Sequence, residues 1–211
     1  MNTLMAMLLI AQLGKLAPVS DAAREPGFPS YLAKLKSAVE SRNARALQKL
    51  VDPDVIVGGF ADKDEKGWAR FASRWEVDSN QARVWDVLAD LIELGFFRET
   101  TSTLVSPYLV WKFPRELEPA DHLVVLRDAL PLRATPDRNG KVLAMLAFDI
   151  VKRVEAAKVH EAFDWILVET SEGTQGYVQA SNLRSPLMPR AQFGKRDGRW
   201  LLVVLDRGQD Y

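Results

Sequence analysis

Apolar residues recur at helical spacing through the first half of the chain. Ser30 and Asn43 are candidate N-caps for the first two helices. Asp78, with Gln81 three residues later, has the pattern of a capping box that opens a further helix. The spacing predicts a mainly helical domain over residues 28–105, whose tryptophans are expected to be core rather than a ligand groove. The apolar positions that carry this pattern are Leu32, Leu35, Val39, Leu47, Leu50, Val51, Trp68, Phe71, Ala72, Trp75, Val84, Leu88, Leu91 and Ile92.

The periodicity then changes from helical to strand-like. Residues 106–122 contain prolines at 107, 114 and 119, a spacing that excludes a long helix and predicts an extended connector. Short apolar runs separated by turn residues follow, and five such runs within about sixty residues, with no helix between them, predict a small β-barrel over 123–184. The runs are 123–126, 142–146, 150–154, 165–168 and 177–178. In the tail, 185–211, Asp197-Gly198 lies between apolar runs and predicts a β-hairpin.

The N-terminus has the features of an export signal. Residues 1–13 are apolar and too few to cross a bilayer unaided. Ser20 and Ala22 are small residues at a spacing that suits cleavage after Ala22, although no Lys or Arg precedes the apolar run. We expect a signal peptide over 1–22 and a periplasmic or secreted protein with no other membrane span. An N-terminal helix packed on the body of the protein is the alternative.

Several motifs occur in a fixed order along the strand-rich segment. They are an arginine-and-proline stretch at 131–136, a hydrophobic strand at 142–146 followed by Asp149, Trp-Ile-Leu-Val at 165–168, Gly-Tyr-Val at 176–178 and a closing Leu183. In this order they resemble the bacterial SH3 domain family. Trp165 is expected to fill the small barrel, and Gly176 to let two strands approach closely. The segment departs from the family at Leu132, where Asn-Val is frequent, and at Tyr177, where Trp is common.

The resemblance implies an α+β protein: a helical N-terminal region, a small SH3-like β-barrel and a C-terminal hairpin. Barrels of this kind usually bind extended peptides across aromatic side chains, which makes Phe148, Phe163, Trp165 and Tyr177 the candidate ligand-binding residues. With its aromatic-proline joint and tail, the chain also resembles bacterial proteins of unassigned function. Residues 30–57 and the tail hairpin resemble, in addition, the nuclear-transport-factor-like fold, in which helices cover a curved sheet. In that arrangement the barrel would be an insertion and the tail would return to the first domain.

The composition excludes several kinds of catalytic and binding site. The chain has no cysteine and two histidines, which excludes thiolate and multi-histidine metal sites. Its 28 basic and 28 acidic residues balance, so it lacks the basic surplus typical of nucleic-acid binding. Gly58-Gly59 lacks the lysine of a phosphate-binding loop. We therefore expect no cofactor, no metal and no nucleic-acid partner.

Candidate catalytic groups are few. Asp52 and Asp54 are expected to stop a helix and would form an acid/base pair only with a further partner. Asp62, Asp64 and Glu65 lack the spacing of a calcium loop, and no nucleophile motif accompanies His122 or His160. The tail carries a mild basic patch, interpreted as solubilising side chains or as a surface for an anionic partner. Its cations are Arg184, Arg190, Lys195, Arg196, Arg199 and Arg207.

These observations favour a non-catalytic envelope protein that recognises a cell-wall peptide or a protein partner through its barrel. The alternative is a cell-wall hydrolase with its site in the N-terminal region and the barrel as a targeting unit.

Overall fold

The computed structural model describes residues 14–57, 66–154 and 165–209, which fall into two compact units. The first, here the α+β unit, combines the described parts of Val19–Trp111 and Met188–Tyr211. The second, here the seven-stranded unit, combines Lys112–Leu187 with the described residues up to Pro18. The chain thus leaves the α+β unit and later returns to complete it.

In the described residues the α+β unit has one five-stranded sheet and a set of α-helices. A short 3-10 turn, Ala22–Arg24, precedes them. The helices are α1 (Phe28–Glu40), α2 (Ala44–Gln48), α3 (Trp68–Trp75), α4 (Arg83–Glu93) and α5 (Tyr108–Lys112). The strands are β1 (Val51–Ile56), β2 (Phe97–Thr100), β3 (Thr103–Ser106), β11 (Arg190–Arg196) and β12 (Arg199–Asp206). The sheet order is β1-β12-β11-β3-β2, with β1 parallel to β12 and the other pairs antiparallel.

Phe28 lies at the centre of an aromatic core between these helices and the sheet. Its ring meets those of Phe96, Phe193 and Trp200 edge-on at centroid distances of 5.0, 5.8 and 5.1 Å. Edge-to-face pairs of this kind stabilise beyond their buried area. Trp75 and Trp85 are also buried in this core, which confirms the prediction that the tryptophan stripe is structural.

The helix starts differ from the sequence prediction at two of three positions. Asn43 caps α2 as expected, accepting a hydrogen bond from the Ala46 amide at 3.0 Å. Ser30 does not cap α1, because the helix begins before it, with Pro29 in the first turn, where proline needs no donor. The capping box after Asp78 does not form either. The chain forms turns there, with the Ser79 amide donating to the Glu76 carbonyl at 2.8 Å, and α4 begins only at Arg83. The Trp85 indole N–H donates to the Ser79 carbonyl at 2.9 Å.

The expectation of a mainly helical domain over 28–105 was too simple, since β1, β2 and β3 lie within it. Asp52-Pro53 is part of β1 rather than a break after a helix. Proline is tolerated there because β1 is an edge strand. The connector 106–122 is not wholly extended, because α5 fits between Pro107 and Pro114 and buries Tyr108 and Leu109.

The tail forms the predicted hairpin, with Asp197 and Gly198 both at positive φ, 50° and 76°. Its strands β11 and β12 lie between β1 and β3 at the centre of the sheet of the α+β unit. This is the arrangement that the nuclear-transport-factor-like alternative required, in which the strand-rich segment is an insertion.

The seven-stranded unit is antiparallel throughout its described residues. Its strands are β4 (His122–Val125), β5 (Leu130–Arg133), β6 (Val142–Leu146), β7 (Ile150–Arg153), β8 (Trp165–Glu169), β9 (Gln175–Gln179) and β10 (Leu183–Arg184), with a 3-10 turn at Ala180–Asn182. The five predicted runs are all strands. The order β10-β4-β7-β8-β9-β5-β6 leaves β10 and β6 unpaired with each other, so in the described residues the predicted barrel is not closed.

Residues that follow the apolar N-terminal run pack in both units. In the seven-stranded unit, the buried Leu16 donates its amide hydrogen to the Phe148 carbonyl at 2.7 Å, and Lys15 pairs with Asp149 at 3.3 Å. In the α+β unit, the Asp21 amide donates to the Phe96 carbonyl at 2.9 Å. The remainder of the expected signal peptide, 1–13, lies outside the described residues. Within the described part of the chain, no helix is long and apolar enough to cross a membrane.

Candidate functional site

Strands β8 and β9 place two of the candidate aromatic residues on the same face of the sheet. Leu167 pairs directly with Tyr177, and Ile166 pairs with Val178. Because side chains alternate along a strand, Trp165, Leu167 and Tyr177 share one face. The opposite face carries Val168 and Val178, which belong to the core of the unit.

Trp165 is buried, as the sequence predicted, but it lies on the face opposite that core. Its side chain is only 7% exposed, yet it is absent from the core cluster built around Val168 and Val178. The alternation of β8 explains this, since Val168 faces the core and residues an odd number of positions away face outwards. Being buried, Trp165 offers little ring surface to a ligand, whereas Tyr177 is half-buried.

Phe148 lies in the turn between β6 and β7, half-buried and with a φ of 56°. This left-handed backbone is held by the Phe148 amide, which donates to the Arg127 carbonyl at 2.8 Å, and by Asp149, whose carboxylate accepts from the Ala147 amide. Among the described residues, the rings of Phe148, Trp165 and Tyr177 make no ring contact with one another. Phe163, the fourth candidate, lies outside the described residues.

The edge strand β6 is a feature that the sequence analysis missed. Val142, Leu143 and Met145 are large exposed apolar residues, and Met145 is 59% exposed. One side of β6 pairs with β5, and no other described strand covers its second side. The signal was present in the sequence, because five consecutive apolar residues on one strand must place some of them away from the core.

Gly176 brings β9 close to β5, as predicted. A Cβ atom at this position would lie 2.7 Å from Leu132 Cγ and 2.8 Å from the Arg133 carbonyl oxygen. Both distances are shorter than normal contacts, so only glycine fits without a shift of the neighbouring strand.

The candidate catalytic groups have structural partners. Asp52 accepts from Arg196 Nε at 3.1 Å and from the Asp54 amide at 2.8 Å, so both carboxylate oxygens are engaged. His122 Nδ1 lies 2.8 Å from the Glu118 carbonyl oxygen and therefore donates to it. Within the described residues, no group of three or more acidic or histidine side chains is placed to hold a metal ion.

The remaining candidate groups lie outside the described residues: Gly58-Gly59, Asp62, Asp64, Glu65 and His160.

The tail cations do not form one continuous patch. Arg190 pairs with Asp206 at 2.9 Å, and Arg196 pairs with Asp52. Lys195 lies over the Trp200 ring, and Arg207 lies over the Trp75 ring, at 4.8 and 5.1 Å from the centroids. These four cations are therefore tied to the surface of the α+β unit.

The geometry defines an α+β protein into which an antiparallel β unit with an exposed apolar edge is inserted. Residues 127–185, which make up most of that unit, match the family described as bacterial SH3 domain. This confirms the resemblance seen in the sequence.

Similarity to solved structures is weak. A crystal structure of an NTF2-like protein with a cystatin-like fold from Novosphingobium aromaticivorans is 17% identical, with a TM-score of 0.32, and the alignment covers 96% of this chain and 85% of that one. A variant of Rd1NTF2_05 is 11% identical, with a TM-score of 0.30, and the alignment covers 89% and 97%. No curated protein matches the chain.

Proposed function

We propose that the seven-stranded unit binds an extended cell-wall peptide along the edge of β6, and that the protein works by recognition rather than catalysis. The observation that carries this proposal is the exposed apolar edge of β6 within a segment that matches the bacterial SH3 domain family.

The chemistry of β6 suits an extended ligand. An edge strand presents backbone N–H and C=O groups in the spacing that another extended chain can pair with. Leu143 and Met145 lie on the face opposite the core-facing Ala144 and Leu146, so they add apolar contact. Lys141 and Arg138 are exposed just before the strand, and they complement a peptide that carries carboxylates.

The test is a variant with Leu143→Thr and Met145→Thr, which keeps strand propensity and removes the exposed apolar surface. Sedimentation with purified peptidoglycan and calorimetry with a soluble wall peptide should show binding weakened several-fold. Lys152→Thr, at an exposed position of the interior strand β7, is the matched control and should bind like the wild type. Equal binding by the double variant would refute the proposed surface. Binding of a partner protein but of no wall fragment would contradict the proposal that the ligand is a cell-wall peptide.

The absence of catalysis is part of the proposal, and the engaged oxygens of Asp52 support it. The wild-type protein is expected to leave peptidoglycan and generic ester and phosphate substrates unchanged, with or without divalent metal ions. Turnover that disappears in Asp54→Asn would establish the hydrolase alternative and move the site to the α+β unit.

Export with a mature N-terminus near Arg24 is also proposed, on the apolar run and the small residues that follow it. Cleavage after Ala22 would remove the bonds that Lys15, Leu16 and Asp21 make with the two units. On this proposal, N-terminal sequencing of protein recovered from the cell envelope finds a start near Arg24. Recovery of intact Met1 from the cytosol would contradict export.

A further inference from the structure

A cavity of about 580 Å³ lies in the α+β unit, apart from the edge of β6. It is partly open to solvent and is bordered by the start of α1, the end of α2 and the turn between β11 and β12. Its volume falls in the range of pockets that hold small organic molecules.

The floor of the cavity is apolar and fixed. Tyr31, Leu50 and Trp200 line it and are at least 90% buried. The Tyr31 hydroxyl donates to the Leu50 carbonyl at 3.0 Å, and the Trp200 indole N–H donates to the Pro26 carbonyl at 3.0 Å. Because these polar atoms are already bonded, the small exposed parts of the two rings that line the cavity are apolar and held in a preset orientation.

The rim of the cavity is basic. Lys34, Lys49 and Arg199 line it and are exposed. Within the described part of the chain, none of these three side chains has a hydrogen-bond or ion-pair partner. No carboxylate is among the lining residues, so the positive charge is not balanced at the cavity itself. Lys34, Lys49 and Arg199 differ in this from Arg190, Lys195, Arg196 and Arg207, which are held by surface contacts.

We propose that this cavity binds a small amphipathic organic anion, a carboxylate carried on an apolar chain or ring. The apolar body would contact the parts of Tyr31, Leu50 and Trp200 that line the cavity, and the carboxylate would meet the unpaired ammonium and guanidinium groups. A neutral apolar molecule leaves the cations without a counter-ion, and a small hydrophilic anion gains nothing from the aromatic floor. The site needs both parts of the ligand, and its function is separate from peptide recognition by the seven-stranded unit.

The experiment titrates the full chain with decanoate, decanol and acetate by calorimetry. Decanoate should bind saturably, the other two far more weakly, and the affinity for decanoate should fall as salt is added. The Trp200 indole N–H resonance, assigned with Trp200→Phe, should shift in the decanoate titration.

Charge-reversal variants test whether decanoate binds in this cavity. The variant Lys34→Glu with Lys49→Glu should bind decanoate on the order of tenfold more weakly, because two attractions become repulsions. Lys36→Glu with Arg45→Glu makes the same charge change on exposed positions of the same two helices outside the cavity, and it should bind like the wild type. Equal weakening in both double variants would mean that decanoate responds only to net charge. That result, or no saturable binding by the wild type, would overturn the proposal.

Discussion

Two buried tyrosines give the α+β unit a sensitivity to alkaline pH. Burial raises the pKa of Tyr31 far above its ordinary value and raises the pKa of Tyr108 to about 12. In the unfolded chain both hydroxyls ionise near pH 10. Below that pH both states hold the proton and the stability is unaffected. Above it the unfolded state loses protons that the folded state keeps, so stability falls as pH rises.

We therefore expect the free energy of unfolding to decline above about pH 10, by up to about 1.4 kcal/mol per pH unit for each tyrosine. The contribution of Tyr108 should level off near pH 12, its folded-state pKa. Denaturant titrations at a series of alkaline pH values measure the decline. Tyr31→Phe should reduce the slope, and the Leu50 carbonyl would keep its bond from the Leu202 amide at 2.9 Å. An unchanged slope in that variant would show that Tyr31 ionises normally in the folded protein.

In the seven-stranded unit, the residue chosen to test stability is Trp165. It is buried and lies outside the aliphatic core. Trp165→Ala should lower the free energy of unfolding by roughly 3–5 kcal/mol, the usual cost of emptying a large aromatic site. Circular dichroism during denaturation measures it, with Trp165→Phe as a control that keeps an aromatic ring. A loss below about 1 kcal/mol would place the ring at the surface and return it to the set of ligand-binding candidates.

The C-terminal hairpin is the element on which the α+β unit depends most. β12 pairs with β1 on one side and with β11 on the other, and β11 pairs in turn with β3. Phe193, Trp200, Leu202 and Leu205 from these two strands are buried in the same core as α1. Without the hairpin, β1 would have no strand partner in the sheet and Phe28 would lose two of its aromatic neighbours.

A chain that ends at Leu187 should therefore lose the cooperative unfolding transition of the α+β unit and keep the antiparallel unit. Hydrogen exchange measured along the chain would show fast exchange through α1 and α4 and protection in β7 and β8. The full-length chain is the control. Retained protection in α1 would mean that the helices fold without the central strands.

The helices and strands of this protein could be predicted from the sequence more easily than the pairing between them. Local signals identified α3 from its aromatic spacing and the tail hairpin from Asp197-Gly198. Pairing between distant strands leaves no local signal, so the contact of β12 with β1 came only as an alternative. The cavity beside Trp200 was missed for the same reason, because it depends on which neighbours are present. The five consecutive apolar residues of β6 do signal exposed positions, but not that one side of the strand lacks a partner. The same limit applies to the candidate site residues. The sequence identified aromatic residues, but it made both the buried Trp165 and the half-buried Tyr177 ligand-binding candidates.

At the scale of the whole molecule, the chain contains a complete β unit inserted between the parts of another. The α+β unit is interrupted after Trp111 and resumes at Met188. The two candidate binding features follow this division, with the apolar edge of β6 in the inserted unit and the basic-rimmed cavity in the host. Variants at one can therefore be designed without altering residues that line the other.

The insertion also sets an order of events during protein synthesis. A ribosome makes Lys112–Leu187 before it makes the hairpin that the host sheet needs, so the inserted unit has nearly all its strands available while the host is still incomplete. The N-terminal helices, although translated first, cannot pack against Phe193, Trp200 and Leu202 until the hairpin has been made. Completion of the host core therefore follows synthesis of the inserted unit, because Phe193 and Trp200 are made only after Leu187.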